Sequence, residues 1–243
     1  MKLSVVIPMY NESEIIADTV EQLSVLADKN PKYDCEFVLV NDGSRDDTAS
    51  AAKKVTEGDG RFVVTGYDDN RGKGAAVRFG MLASSGEVRV FTDCDLAYGT
   101  DNIVKIADKL VADGTDITIG SRNLSNDGYA GYTPLRRFMS KTYIKVISIA
   151  AGFSHSDSQS GIKAFLGKCA DDVFSKCEVN RFAFDLEALI IAEKLGYKVS
   201  EMPVSIINHR EARSKVSPIK DTLRMLRDIG KIKKRTRKLS RQS

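Results

Sequence analysis

The chain has 243 residues, of which 42% are hydrophobic and 29% are charged, as in a globular protein with a sizeable core. No stretch approaches the ~20 apolar residues of a membrane-spanning helix, since the longest candidate covers only residues 146–153. The net charge of +4 is concentrated near the C-terminus, where residues 231–243 hold seven Lys or Arg and no acid.

The beginning of the chain predicts a strand rather than a signal peptide, because Pro8 and the polar pair Asn11 and Glu12 interrupt the first apolar run. The four cysteines are far apart and form no C-x-x-C pair, so we expect free thiols in a reducing cytosol. His155 and His209 lack ligand-like spacing to any cysteine, which argues against a zinc site.

Short apolar runs alternate with segments of helical periodicity through the first half of the chain. Strands are predicted at 3–7, 35–40, 62–65, 88–92 and 116–119, and helices at 12–28, 48–55, 74–83 and 102–112. Asp46 or Asp47 is placed to cap the helix at 48. This alternation predicts an α/β fold whose central sheet is mostly parallel, with helices on both faces.

In the second half, helices are predicted at 133–151, 184–195 and 219–232, and strands at 158–165 and 199–207. The last helix combines apolar and basic residues, so it either lies on a membrane surface or packs on the domain. The basic tail, 231–243, suits anionic lipid or nucleic acid, or is a solvated end.

Polar clusters follow three of the predicted strands, at 8–12, 41–44 and 93–95. Ligands of parallel sheets bind beyond the carboxyl ends of the strands, so these clusters predict a binding site. In the third cluster, Asp93 and Asp95 are one residue apart, which lets both carboxylates reach one Mg²⁺ or Mn²⁺. Taken alone, this pair also suits a turn or a helix cap.

The segment 70–76 (NRGKGAA) has the glycines of a phosphate loop without the required spacing. It matches neither G-x-x-x-x-G-K-[ST] nor G-x-G-x-x-G, which argues against a nucleoside triphosphatase or a dinucleotide enzyme. It still places two cations, including Lys73, before a helix N-terminus, which favours anions.

The segments 5–12 (VVIPMYNE), 40–48 (VNDGSRDDT), 70–74 (NRGKG) and 93–95 (DCD) resemble, in this order, family 2 glycosyltransferases of the GT-A fold. Further on, 119–122 (IGSR), 157–163 (DSQSGIK), 181–187 (RFAFDLE) and 214–216 (SKV) resemble the branch that glycosylates polyprenyl phosphates. That branch includes the dolichyl-phosphate mannose synthases and glucosyltransferases. The resemblance covers about residues 3–230 and implies a single domain, 1–230, with a nucleotide-sugar half (1–120), an acceptor half (121–218) and an amphipathic helix (219–230).

The resemblance also implies roles for individual residues. It assigns the base and ribose of the donor to four of them: Pro8, Tyr10, Glu12 and Asp42. It assigns the metal on the donor diphosphate to Asp93 and Asp95, with backbone contacts from Cys94. Arg122 and Arg137 resemble residues near the acceptor phosphate. Arg210 and Lys215 resemble a pair that closes over the diphosphate, although the matching arginine position here is His209.

Mannose synthases of this branch carry Gln two residues after the second Asp, where this chain has Ala97, and this departure favours a UDP-sugar over GDP-mannose. Asp157 is the candidate carboxylate on the acceptor side, or else a turn or cap residue. Asp185 and Glu187 are predicted to orient basic partners from a helix. A phosphate acceptor is ionised near neutral pH and needs no strong base, whereas a sugar hydroxyl would need one.

These observations predict an inverting, metal-dependent glycosyltransferase that moves a sugar from a nucleoside-diphosphate sugar to a polyprenyl phosphate. The alternatives are a transferase acting on a sugar hydroxyl, and a non-catalytic protein that binds a nucleotide sugar or nucleic acid; the intact carboxylate pair argues against the latter. We expect a cytoplasmic protein on the inner membrane face. It would dock by its basic face on anionic lipid or through a small membrane-protein partner.

Overall fold

The computed structural model describes residues 1–129, 134–152, 155–207 and 218–239. Within them lies a seven-stranded sheet of β1 (Lys2–Met9), β2 (Asp34–Asp42), β3 (Phe62–Tyr67), β4 (Val88–Phe91), β5 (Ile117–Ser121), β6 (Lys163–Leu166) and β7 (Val199–Pro203). The α-helices are α1 (Ile16–Lys29), α2 (Thr48–Val55), α3 (Lys73–Ala83), α4 (Thr100–Asp113), α5 (Pro134–Ala151), α6 (Gly167–Phe174), α7 (Phe184–Lys194) and α8 (Pro218–Arg235).

The strands lie in the order β3-β2-β1-β4-β6-β5-β7. Neighbours pair in parallel except at β6, which is antiparallel to both β4 and β5. The predicted α/β fold with a mostly parallel sheet is therefore confirmed. Because β6 comes from the second half of the chain and lies between two strands of the first half, the two halves share one sheet.

Each face of the sheet carries its own apolar core, as alternation along β1 shows. Leu3, Val5 and Ile7 are fully buried in a cluster with residues of α1, α2 and α4. Val6 points the other way, into a cluster with residues of α3, α5, α6, α7 and α8. Helices thus cover both faces, as the alternating sequence pattern predicts.

Two predicted elements in the second half are wrong in extent, and one helix is missed. The predicted strand 158–165 begins only at Lys163, because buried Ser158 and Ser160 belong to a loop rather than to the ladder. The strand predicted at 199–207 ends at Pro203. Helix α6 has only eight residues, which is too short for a clear helical period.

The predicted basic tail is also wrong in its first part. Helix α8 continues through Arg235, past the predicted boundary at 230, and a 3₁₀ turn follows at 236–238. Ile232 and Thr236 are buried, and Arg235 forms ion pairs with Glu178 and Glu187. Residues 231–238 are therefore packed on the domain. Among the helices of the described residues, none is both long and apolar enough to cross a bilayer.

Candidate active site

The strands β2, β1 and β4 lie side by side and parallel, so their carboxyl ends meet at one edge of the sheet. After β1, Asn11 adopts a left-handed φ of 56°, and its side-chain oxygen accepts a hydrogen bond from the Arg45 amide at 2.9 Å. The Glu12 amide donates to Thr48 Oγ at 2.7 Å. These bonds fix the loop after β1 against the segment after β2, and so orient the side chains between them.

This edge of the sheet holds a cavity of about 410 Å³, a size typical of small-molecule sites. Eight predicted site residues line it: Pro8, Tyr10, Glu12, Asp42, Lys73, Asp93, Cys94 and Asp95. The sequence analysis gave no role to the other lining residues: Met9, Asn70, Gly72, Arg181 and Phe182. Phe182 is 73% exposed, and its place in the motif at 181–187 was the only signal for it.

Asp42 is only 3% exposed and organises the loop before α3. Its carboxylate accepts hydrogen bonds from Tyr67 Oη at 2.7 Å and Asn70 Nδ2 at 2.8 Å. It also accepts from the amides of Arg71 at 2.9 Å and Gly72 at 3.0 Å. Because these donors surround both oxygens, Asp42 shapes the wall of the cavity, and little of its capacity is left for the base or ribose that the resemblance assigns to it.

The carboxylate of Asp93 lies between a cation and a glycine. Its Oδ1 forms an ion pair with the Nζ of Lys73, the first residue of α3. On its other side, a Cβ added to Gly161 would overlap Oδ2. Burial disfavours the charged form of Lys73, but Asp93 and Asp185 outweigh it and raise the pKa of Lys73. The ammonium group therefore stays charged at the cavity wall.

Asp95 lies at a tight turn after β4. Its Oδ1 accepts a hydrogen bond from the Ala97 amide at 3.1 Å. The next residue, Leu96, has a φ of 47°, which is strained for a side chain with a Cβ. Cys94, between the two acids, is buried, and burial raises its pKa to about 12, so its thiol stays protonated and unreactive.

The carboxylates of Asp93 and Asp95 both line the cavity. Within the residues that the structure describes, no group of three or more His, Cys, Asp or Glu side chains converges on one point. Two carboxylates are nevertheless the donor set that suits Mg²⁺ or Mn²⁺ when substrate phosphates and water supply the other ligands. The residues present fit a cation that binds together with a diphosphate.

Arg122 and Asp157 form an ion pair with each other and are not among the residues that line the strand-end cavity. Asp157 is fully buried, and its Oδ2 accepts from Arg122 Nε at 2.7 Å and from the Arg122 amide at 3.1 Å, while Oδ1 accepts from Nη2 at 3.0 Å. A carboxylate held in this way has no open face toward an acceptor. The structure therefore corrects the interpretation of Asp157 as a base and makes it the residue that positions Arg122.

The predicted acceptor half also contains a cationic cluster around Tyr129, of which the sequence analysis named Arg122 and Arg137. Three cations lie near its buried ring: Arg122 at 5.5 Å, Arg137 at 5.8 Å and Lys141 at 5.6 Å from the ring centroid. Arg137 and Lys141 are exposed. Cations gathered on an aromatic ring form a positive surface suited to a phosphate. Arg210 and Lys215, predicted to close over the diphosphate, lie outside the described residues.

Two buried carboxylates of α7 orient basic partners, as predicted. Asp185 accepts a hydrogen bond from Lys163 Nζ at 2.8 Å, and burial raises the pKa of Asp185. Glu187 accepts from the amides of Glu178 and Val179 at 2.9 and 2.7 Å and pairs with Arg235. It thereby anchors the segment that leads to the cavity residues Arg181 and Phe182. Nothing in the sequence marked Lys163 or Arg235 as these partners.

Comparisons with known proteins agree with this geometry. The family model "Glycosyl transferase family 2" matches residues 4–175. A dolichyl-phosphate beta-glucosyltransferase of Trichomonas vaginalis is 34% identical, over 87% of this chain and 66% of its own length. The dolichyl-phosphate beta-glucosyltransferase of Drosophila melanogaster is also 34% identical, over 94% of this chain and 73% of its own. The chain thus spans roughly two thirds or more of these relatives.

Solved structures show the same fold at lower identity. A mannosyl-3-phosphoglycerate synthase of Rubrobacter xylanophilus superposes with a TM-score of 0.65 at 17% identity, over 98% of this chain and 74% of its own. A mannosyltransferase of Pyrobaculum calidifontis in complex with GDP-Man and Mn²⁺ gives 0.60 at 20% identity, over 87% and 58%. The sheet, the strand-end cavity and these matches agree with one another. The chain belongs to glycosyl transferase family 2 and is a glycosyltransferase of the GT-A fold.

Proposed function

We propose that this glycosyltransferase moves a sugar, with inversion, from a nucleoside-diphosphate sugar to a polyprenyl phosphate, with a divalent cation bound between Asp93 and Asp95. The observation that carries the proposal is the cavity itself, where seven predicted residues of the strand-end clusters meet Lys73 of the segment 70–76. The names of the relatives, dolichyl-phosphate beta-glucosyltransferases, support the acceptor class and suggest glucose as the sugar.

On the donor side, different residues of the cavity would contact different parts of the nucleotide sugar. Tyr10, 40% exposed at the rim, and Glu12 would contact the base and ribose, with Pro8 beside them. Lys73 and the N-terminus of α3 offer positive charge to the diphosphate. Ala97 favours UDP over GDP as the carrier, which leaves GDP-mannose as the alternative donor. Arg210 and Lys215 keep their proposed place over the diphosphate.

A bound Mg²⁺ or Mn²⁺ would neutralise charge on the diphosphate as the bond to the sugar breaks. Asp93 and Asp95 would hold that cation, and the strained turn at Leu96 fixes the position of Asp95. The backbone of Cys94 would border the phosphates, because this residue lines the cavity between the two acids. Donor-side groups accelerate transfer only if they hold the transition state better than the intact donor.

The acceptor side supports a phosphate rather than a hydroxyl acceptor. A phosphate monoester, with a second pKa of about 6, is largely ionised at neutral pH and attacks without a base. Asp157, the acceptor-side carboxylate that the sequence suggests, is buried under Arg122, whereas Arg137 and Lys141 offer exposed positive charge. The segment 157–161 runs from this cluster to Asp93 and spans at most about 14 Å, so acceptor and donor charges lie close together.

A polyprenyl acceptor places the reaction at a membrane surface. Helix α5 exposes Lys141 and Lys145 together with Val146, 40% exposed, and Ile149, 70% exposed. Basic and apolar side chains on one exposed helix suit anionic lipid. We therefore propose a peripheral protein on the cytoplasmic membrane face, with a small membrane-protein partner as the alternative anchor. We also propose that 1–120 form the donor half and 121–218 the acceptor half of one domain.

A donor screen tests this function. Purified chain is incubated with Mn²⁺, a polyprenyl phosphate in detergent, and UDP-glucose, UDP-N-acetylglucosamine or GDP-mannose in turn. We expect a glycosylated lipid and released UDP with UDP-glucose, detected by mass spectrometry and nucleotide assay. If no donor yields a lipid product, the proposed acceptor is wrong; transfer only to an added oligosaccharide would favour the hydroxyl-acceptor alternative.

A further inference from the structure

We propose that Lys73 is an exchangeable counter-ion: it neutralises Asp93 until the metal and the donor bind together, and then its ammonium group moves to the donor's diphosphate. This inference rests on the proposed function and assigns to Lys73 a role in the order of binding. It predicts that this site, with two carboxylates, binds a cation well only in the presence of the nucleotide.

The first step is a competition for one oxygen. The Nζ of Lys73 is paired with Oδ1 of Asp93. The second oxygen, Oδ2, faces Gly161 so closely that a Cβ there would overlap it. The glycine side of Oδ2 is thus closed, and the oxygen open to a cation from the cavity is the one that Lys73 contacts. Because the ammonium group and a divalent cation repel each other at one carboxylate, the ion pair and the metal bond compete.

The second step is the move of the Lys73 ammonium group to the diphosphate. It is the first residue of α3, and both Gly72 and Lys73 line the cavity. A helix N-terminus attracts a phosphate, and a flexible lysine side chain starting there reaches the same anion. Its Nζ thus passes from one anion to another without leaving the cavity.

The third step is that, among the described residues, the side chain of Lys73 pairs with Asp93. A second acid that favours its charge is the buried Asp185, which already accepts a hydrogen bond from the buried Lys163 at 2.8 Å. The side chains of Lys73 and Asp93 are 30% and 32% exposed, so their pair is open to solvent. A pair of this exposure is weak enough to exchange.

A static role for Lys73 predicts the opposite behaviour. If the lysine only fixed Asp93 in a metal-binding position, its removal would weaken the binding of the metal alone. If it competes with the metal, its removal strengthens that binding. The two roles therefore differ in the sign of one measured quantity.

The test titrates Mn²⁺ alone, and then UDP in saturating Mn²⁺, against wild type, Lys73→Met, Lys73→Arg and Lys54→Met. Free Mn²⁺ is measured by electron paramagnetic resonance and UDP by calorimetry. Lys54 is an exposed lysine of α2, and its variant controls for the loss of one positive charge. We expect Lys73→Met to bind Mn²⁺ alone about fivefold more tightly, and UDP with Mn²⁺ about tenfold more weakly.

Lys73→Arg should keep the weak Mn²⁺ affinity of the wild type, because it keeps the competing charge, and Lys54→Met should match the wild type throughout. Equal or weaker Mn²⁺ binding by Lys73→Met overturns the counter-ion role while leaving the proposed function intact. If wild type shows no Mn²⁺-dependent binding of UDP or GDP, the donor site itself is wrong and both proposals fall. Thermal melting of each variant confirms that it is folded.

Discussion

The proposed donor and acceptor sides of this glycosyltransferase present their charges in opposite ways. On the donor side, Asp93 and Lys73 each keep about a third of the side chain exposed at the cavity. On the acceptor side, Asp157 is fully buried, and the Arg122 side chain is only 11% exposed. Two acidic motifs of the sequence thus yield two kinds of ion pair: one at the cavity, where solvent reaches it, and one buried between loops.

The largest expected effect tests whether the carboxylates of Asp93 and Asp95 bind a cation. Replacing Asp93 or Asp95 with Ala removes half of the proposed cation site, so transfer should fall by about a thousandfold or more while the melting temperature changes little. EDTA should have a similar effect on the wild type. The measurement is product formation per minute at saturating UDP-glucose.

Asp34→Ala is the matched control, because Asp34 is an exposed acid at the opposite end of β2. It should leave transfer unchanged. Full activity in EDTA, or in the double variant of Asp93 and Asp95, would show that these acids do not hold a cation needed for transfer. Their exposure would then not distinguish a binding site from the buried pair of Arg122 and Asp157.

The second effect concerns the buried pair. Asp157→Asn leaves the Arg122 guanidinium buried with a neutral partner, so the free energy of unfolding should fall by about 3 kcal/mol. Urea denaturation of the single and double variants measures it. The double variant Arg122→Met, Asp157→Asn should regain part of the loss, because the unpaired charge is gone. If instead Asp157→Asn is as stable as wild type yet inactive, Asp157 faces a ligand, contrary to the structure.

The sequence predicted the donor side better than the acceptor side for a physical reason. The residues at the ends of β1, β2 and β4 are brought together by the parallel sheet alone, so finding the strands is enough to find the site. The pair of Arg122 and Asp157, by contrast, joins the 3₁₀ turn after β5 to a loop 35 positions later. A lone Asp in a turn-like segment gives no sign of such a partner.

The same reasoning explains the C-terminal segment. A run of Lys and Arg has the same sequence pattern in a solvated tail and on the outer face of a packed helix. Only the buried Ile232 and Thr236, four residues apart, distinguish the two, and their spacing is too slight a signal in so basic a segment. The partner of Arg235, Glu187, lies 48 positions earlier, beyond any local pattern.

The third effect extends the comparison to this segment. Arg235→Met leaves Glu187 buried and without its ion-pair partner, so stability should fall by about 2 kcal/mol. Donor affinity should also fall several-fold, because Glu187 anchors the amides of Glu178 and Val179 before the cavity residues Arg181 and Phe182. Urea denaturation and UDP calorimetry measure the two losses.

Arg237→Met removes the same charge from an exposed position of the same segment and should change neither quantity. If both variants lose the same stability and UDP affinity, the C-terminal segment acts through its net charge and not through Glu187. Donor binding would then not depend on the buried ion pair of Arg235 and Glu187.

The smallest effect tests the contact point between the two sides. Gly161→Ala adds a methyl group where the Oδ2 of Asp93 lies, and the carboxylate at the end of its side chain yields more readily than the backbone. Stability should therefore change little, whereas the affinity for Mn²⁺ with UDP should fall by about tenfold, because the carboxylate is displaced from its ligand position. Gly60→Ala, at a glycine with open space around it, should change neither. A fall in stability without a fall in affinity would mean that Gly161 serves the fold of the 157–161 loop, and that the loop isolates the acceptor pair from the donor carboxylates instead of joining them.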